Sequence, residues 1–530
     1  MSLFSLFTSQ IVFQALGILF LMNVCILRPL QSFHRKLRIA KGLAPVPGPR
    51  GVWILGMIPS FLRNNHRIYD FLEELLKIYN GRMKTPWHIF FDGGLYVTSP
   101  QDVKHMLADN VDNYIKPQGF LDAFHEIFQN AFFATNHGPH APDKGLHWKL
   151  QRKVAVKIFT ANQFRTFTEQ VFKKRAQSIL SRVQVTRLED RSVLQCDMQQ
   201  LSSEFTLESI FQIAFGIDLS AILEPQQFAR YCNFVNEHCA SRLFFNQYYK
   251  WFWWCMPSEW KLWRYTKRIQ SIADSILHNR MRLDPEVVAK QSDLLSLFIN
   301  KTREKDVQVT KLLSPNVLRS IILTFIFAGR DTTSECITYT FYSLARNPHI
   351  QEKIRQELYQ ALGENSSSVS LTYENIKMLK YLDAVVHETL RLYPALPYNL
   401  KVAVEDDILP DQTFVPAGTY MYYSPWYMGR NEKFWGPDAH VFRPERWLEM
   451  ERRPTAYEFP VFQAGPRTCI GMAMAIVEVK VFTAVILMEH FVKIQDGHDV
   501  DRDYILKSGL YMKEGLPLDL IPLPKHAVVH

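Results

Sequence analysis

At the start of the chain no charge interrupts the apolar residues. The run from Leu3 to Leu27 (LFSLFTSQIVFQALGILFLMNVCIL) is mostly hydrophobic, and the first charged side chain is Arg28. A bilayer core is spanned by about 20 apolar residues, so this pattern predicts a membrane-crossing helix. It lacks the basic leader and small-residue cleavage site of a removable signal, and the arginine content of a transit peptide. Arg28, Arg35, Lys36, Arg38 and Lys41 follow it. That asymmetry predicts that the next domain lies on the cytosolic side. Residues 44–51 (APVPGPRG) have prolines at alternate positions, which favour a stiff, extended spacer.

Beyond the spacer, helical periodicity dominates and strand-like runs are short, as at 89–98 and 413–422. The clearest helix is predicted from Ser314 to Asn347. Ser314 suits an N-cap, Pro315 suits the first turn, and Pro348 stops the helix. At 1.5 Å per residue it is a rod of roughly 48 Å, and its centre (IILTFIFAG) is apolar on nearly every side, as in a helix crossing a large core. Polar stretches at 301–311 and 361–369 read as surface loops. No repeat or low-complexity linker follows the spacer. The expected organisation is therefore an anchor (3–27), a basic, proline-rich linker (28–49) and one mainly helical domain (50–530), although length alone suggests more domains.

The chain has 530 residues, 47% hydrophobic and 21% charged, which is the composition of a globular protein. Its net charge of +9 would suit an anionic membrane or an acidic partner. Nucleic acid is excluded as a partner, because the basic residues are dispersed and no reader motif occurs. The seven cysteines form no C-x-x-C pair, which argues against zinc and against a dithiol redox motif. The odd count suits a reducing compartment.

Four patterns carry candidate chemistry. In AGRDTTS (328–334), Gly329, Asp331 and Thr332 interrupt the apolar rod. Thr332 can turn its hydroxyl back to the Ala328 carbonyl and open the helix into a groove, while a kinked core helix is the plainer alternative. In HETLRLYP, Glu388 and Arg391 lie three apart on a helix whose neighbours Leu382, Val385, Val386 and Leu390 are apolar. A buried ion pair with a further partner, Arg443 or Arg446, is expected. In HWKLQRKVAVKIF (147–159), Trp148, Arg152, Ala155 and Phe159 share one helix face, and Lys149, Lys153 and Lys157 form a basic ridge beside it. In FQAGPRTCIG (462–471), Cys469 sits among Gly465, Pro466, Arg467 and Gly471 as if presented to a ligand.

Together and in this order, these segments resemble the cytochrome P450 family of haem-thiolate monooxygenases. FQAGPRTCIG fits F-x-x-G-x-R-x-C-x-G at every specified position, and Ala475 and Glu478 continue it. ETLR, AGRDTT, FRPERW and the Trp148–Arg152 face match as well. The resemblance implies a helical triangular prism with small sheets and haem b (iron protoporphyrin IX) between two central helices. Cys469 would be its thiolate ligand. Glycines 465 and 471 would let the backbone pass close to the porphyrin and point N–H groups at the sulfur. Arg467, Trp148 and Arg152 would hold the propionates, Phe462 would shield the sulfur, and Asp331 and Thr332 would relay protons to oxygen.

Two positions depart from common family patterns. Lys401 stands where many members have arginine, keeping the charge but losing the fork. Ala328 stands where one fatty-acid hydroxylase group has a glutamate that esterifies haem, so non-covalent haem is expected. The segment TNHGPHAPDKGLHW brings His137, His140 and His147 close in sequence, either as a metal site or as a polar loop.

Within the family the chain is most similar to the fatty-acid ω-hydroxylase branch of plants, fungi and protists, on NYIKPQGF, WKLQRKVAVKIFT, DDILPDQTFVPAGT and WGPDAHVFRPERW. Phe120, Phe124, Phe132, Phe133, Phe327, Leu400 and Met512 are pocket candidates suited to an alkyl chain. The resemblance implies O2, a lipophilic substrate and an endoplasmic-reticulum membrane. No flavin or nicotinamide fingerprint follows a strand, so electrons are expected from an NADPH-dependent cytochrome reductase docked on the lysine ridge, with a small haem cytochrome as a second candidate donor. The stretch 243–268, rich in Trp, Tyr, Lys and Arg, reads as core or as a membrane-dipping segment. Alternatives are hydroxylation of a sterol, terpene or alkane, a hydroperoxide isomerase, and a non-catalytic haem protein.

Overall fold

The computed structural model describes residues 28–87, 92–183, 185–188, 191–245, 253–303, 313–363, 371–495, 503–506 and 509–524. Most of these residues are helical, and four small sheets occur among them. No described helix is long and apolar enough to cross a membrane. The predicted anchor, Leu3–Leu27, lies outside the described residues.

The predicted rod is a 32-residue helix, Pro315–Arg346, called the central helix below. Pro315 occupies its first turn, but the Ser314 side chain makes no cap hydrogen bond. The helix packs against Met198–Phe215, Met472–Glu489 and Lys380–Leu392, so its stability comes from burial on all sides rather than from its ends. From Ser320 to Leu344 every residue is buried except Ala328, Gly329 and Thr332. The polar interruption seen in the sequence is thus the one place where the central part of the helix meets open space.

The largest sheet has five strands. Met83–Thr85 pairs antiparallel with Gly94–Tyr96, which runs parallel to Tyr420–Tyr423. Next comes Asn399–Ala403, and Tyr114–Ile115 closes the far edge. The pairs Tyr114–Ala403 and Ile115–Val402 fix the register, so the following residue, Lys116, comes level with Lys401. The strand-like run at 413–422 is divided between two strands, Phe414–Val415 and Tyr420–Tyr423, which belong to different sheets.

Exposure bears on the two alternatives for one segment. Of the aromatic, basic segment at 243–268, Trp254, Trp260 and Trp263 are 63%, 57% and 62% exposed, so these rings are surface rather than core. Residues 246–252 lie outside the described residues.

Candidate active site

The cysteine loop is built by three local constraints. Gly465 has φ +62°, and a Cβ there would stand 2.0 Å from the Leu107 carbonyl oxygen. The glycine is therefore required by the protein's own backbone. Gly471 has an ordinary φ of −81°, and the one atom within 4.0 Å of a Cβ there is Cys469 Sγ. Gln463 adopts φ +61°. Its side chain accepts from the Tyr423 hydroxyl and donates to Asn399 Oδ1, bonds that hold the bend in place.

Beyond the bend, Cys469 N–H donates to the Phe462 carbonyl at 2.8 Å, and the helix Met472–Glu489 begins three residues later. Burial pushes the Cys469 thiol up. The backbone N–H groups of Gly471 and Met472 and the Arg152 guanidinium oppose that shift. All three are groups that stabilise a thiolate. Cys469 also keeps accessible surface, so the residue is not closed in by packed neighbours.

Beside the loop lies a cationic cradle. Arg467 donates from Nε to His137 Nδ1 (3.0 Å), from Nη1 to the Phe132 carbonyl (3.1 Å) and from Nη2 to the Thr135 carbonyl (2.7 Å). Its guanidinium lies 4.5 Å from the Trp148 ring centroid. Of the five guanidinium N–H groups two remain, enough for one carboxylate. Arg152 donates to the Thr468 carbonyl at 2.5 Å and stands over Trp148. Burial lowers Lys401 to about 7 and Arg467 to about 9, and it pushes Lys116 well down, with Arg467 and then Lys401 adding to the effect on Lys116. The Trp148 Nε1–H is buried and finds no partner among the described residues. No described carboxylate pairs with Lys116, Lys401, Arg152 or Arg467. Like charges gathered in a low dielectric are stable only with counter-anions.

The donor set therefore fits a large group that presents two carboxylates to the cradle and a metal to the thiol, which is the chemistry of haem. Lys116 was not foreseen, and only the strand register brings it level with Lys401. The three histidines are separate. His137 is buried in the cradle, His140 approaches Glu405 at 3.9 Å, and His147 pairs with Asp143 at 2.5 Å. No described group of His, Cys, Asp and Glu is placed to hold a metal ion.

At the opening in the central helix, Thr332 donates to the Ala328 carbonyl at 2.7 Å. Asp331 turns away from that opening and is buried. It accepts from Asn236 Nδ2 at 2.6 Å, lies 3.2 Å from Arg330 and is hydrogen-bonded by the Tyr511 hydroxyl. The helix Pro225–Phe245 and the hairpin strand Leu510–Met512 thus supply its partners, which no local sequence pattern announced.

Rings of Phe120, Phe124, Phe128 and Phe133 join one another at centroid distances of 5.0–6.0 Å, and Phe128 meets Phe327 at 5.8 Å. Phe128 was not foreseen. Phe132 packs on Phe325, also on the central helix. Met512 is buried, and Leu400 pairs with Tyr422 in the large sheet.

The ion pair is fully buried. Arg391 holds both Glu388 oxygens at 2.8 Å and donates to the carbonyls of Gly429, Ala439 and Val441. Arg446 Nε and Trp447 Nε1 complete the carboxylate's contacts. Arg443 contributes only its backbone amide. Its guanidinium lies at the surface against Asp438 and Glu449, where a mobile cation stays hydrated, so the expected third partner is Arg446.

A helical body, a thiol-bearing loop at a helix start and a cationic cradle beside it define a haem-thiolate protein. The cytochrome P450 family model matches residues 46–517, and the chain belongs to that family. Its members are monooxygenases that hold haem through a cysteine thiolate. Cytochrome P450 86B1 of Arabidopsis thaliana is 32% identical over 507 residues, covering 89% of this chain and 85% of that protein. Cytochrome P450 94A1 of Vicia sativa is 30% identical over 462 residues, 82% of each. Cytochrome P450 CYP94D109 of Paris polyphylla is 30% identical over 453 residues, 80% of this chain and 84% of that protein.

Proposed function

We propose that this monooxygenase hydroxylates long-chain fatty acids at or near the terminal methyl. The observation that carries this reading is the run of phenylalanine rings ending at Phe327, one residue before the opening at Ala328 and Gly329. Apolar walls of this kind orient an alkyl chain by exclusion of water rather than by hydrogen bonds, and a methyl end suits them better than a carboxylate.

Cys469 is the thiolate ligand in this reading, steadied by the N–H groups of Gly471 and Met472. Haem bound this way supplies the electron push that favours O–O cleavage. Arg467, Trp148, Arg152 and Lys401 hold its carboxylates, and Phe462 covers the sulfur. Thr332 keeps its oxygen available to accept a proton while it donates to Ala328. Asp331 takes part in the relay in this reading from the far side of the helix, where the Tyr511 hydroxyl can exchange a proton with it and Asn236 holds it in place.

Electrons come from an NADPH-dependent reductase docked at Lys149, Lys153 and Lys157, all exposed on the helix Leu146–Thr160. An anchor at residues 3–27, the linker 28–49 and the domain 50–530 would hold the enzyme on the cytosolic face of the endoplasmic reticulum. The exposed Trp254, Trp260 and Trp263 suit the interface of that membrane. Purified enzyme with reductase, NADPH and long-chain fatty acids is expected to give terminal or near-terminal alcohols. Oxidation of sterols or terpenes with fatty acids left unchanged would overturn the substrate assignment.

A further inference from the structure

We propose that His137 is a positioning residue whose neutral ring aims Arg467 at a carboxylate of the cofactor. This inference rests on the haem reading of the site. His137 is 4% exposed and lies in the segment that wraps Arg467, the segment whose carbonyls at Phe132 and Thr135 take two further N–H groups. Its Nδ1 accepts from Arg467 Nε, so Nδ1 carries no proton. Its Nε2 faces the Val111 carbonyl at 3.2 Å, which fixes the proton there. The ring leans on Trp148 at 5.3 Å, the residue whose buried N–H finds no partner among the described residues.

A carboxylate would be the obvious neighbour for the cations around this position, Arg467, Lys401 and Lys116. It would also neutralise them from within and leave less charge for a bound anion. A neutral acceptor does something different. It takes the Nε–H, fixes the guanidinium plane, and leaves two N–H groups and the whole positive charge directed at the ligand. Burial and those same cations push His137 down to about 4, consistent with a ring that stays uncharged at neutral pH. His137 also ties the cysteine loop to Val111, beside the strand Tyr114–Ile115, so the cradle is preorganised before the ligand arrives.

The test is haem transfer from holoenzyme to a haem-scavenging globin, followed in the Soret region, for His137→Asn, His137→Leu and His137→Asp. Asn keeps a neutral acceptor near the Nδ1 position and is expected to retain haem within a few-fold of the parent. Leu removes the acceptor and is expected to release haem about tenfold faster or more. Asp supplies an acceptor with charge and is expected to release haem faster than Asn. Equal rates for Leu and Asn, or retention by Asp as good as the parent's, would overturn the proposal. Should Leu fail to fold, the Asp and Asn comparison still decides it. A parent protein that binds no haem through a thiolate would instead overturn the haem reading itself.

Discussion

Lys116, the residue after the strand Tyr114–Ile115, comes level with Lys401 of the neighbouring strand, and no described carboxylate pairs with either. Two lysine amines enclosed this way, with Arg467 close by, are pushed toward their uncharged form, and an entering anion would favour their charged form again. Lys401→Met is expected to speed haem loss by about tenfold, as removal of an outer-shell partner commonly does, with Lys116→Met acting in the same direction. Haem transfer at several salt concentrations is the check. Unchanged retention in both variants would remove the lysines from the cradle.

The buried Glu388–Arg391 pair predicts a sharp contrast between two nearby arginines. Removing one partner of a buried pair costs about 3–5 kcal/mol, so Arg391→Ala and Arg446→Ala should yield little folded holoenzyme. Arg443→Ala, whose guanidinium makes surface pairs only, should cost under about 1 kcal/mol. Thermal unfolding and haem content of the three variants measure this.

Gly465→Ala and Gly471→Ala should behave differently. A Cβ at 465 collides with the Leu107 carbonyl in a left-handed backbone conformation, whereas at 471 it meets only sulfur at van der Waals distance. Gly465→Ala is expected to abolish stable folding of the loop, while Gly471→Ala folds with an altered Soret spectrum. Equal folding yields would contradict the steric account.

Much of this was legible along the chain because it is local. The central helix, the Trp148–Arg152 face, the cysteine loop and the Thr332–Ala328 bond all arise from residues a few positions apart. The rest depends on register and tertiary placement. Lys116 reaches Lys401 through a strand pairing separated by almost 300 positions, and Asn236 meets Asp331 from another helix. His137 stood out in the sequence, but as one of three histidines, and only the fold separates it from the others. Arg443 and Arg446 lie three residues apart, and nothing local says which one turns inward.

Protonation of His137 gives a pH dependence with a definite sign. Its folded value, about 4, lies below the ordinary 6.5, so between these limits the unfolded chain binds more protons. Its contribution is fully present above pH 6.5 and is lost as pH falls toward 4. Burial and the neighbouring Arg467, Lys401 and Lys116 all disfavour protonation of the ring, and the Val111 carbonyl offsets only part of that. Stability of the parent should fall across that window more steeply than stability of His137→Asn. Parallel curves would contradict the neutral-ring assignment.

The proton path is tested at Asp331. Asp331→Asn should slow turnover on the order of a hundredfold and enlarge the solvent isotope effect. Asn236→Leu, which removes one of the carboxylate's partners, should change the isotope effect with a smaller loss of rate. Steady-state kinetics in light and heavy water separate these outcomes.

The central claim is that sulfur at position 469 binds haem iron. The most direct measurement is the carbon monoxide difference spectrum of the reduced protein, taken for the parent and for Cys469→Ser. The account predicts the red-shifted Soret band of thiolate ligation in the parent and its disappearance in the serine variant. A parent lacking that band, or a serine variant keeping it, would contradict the account.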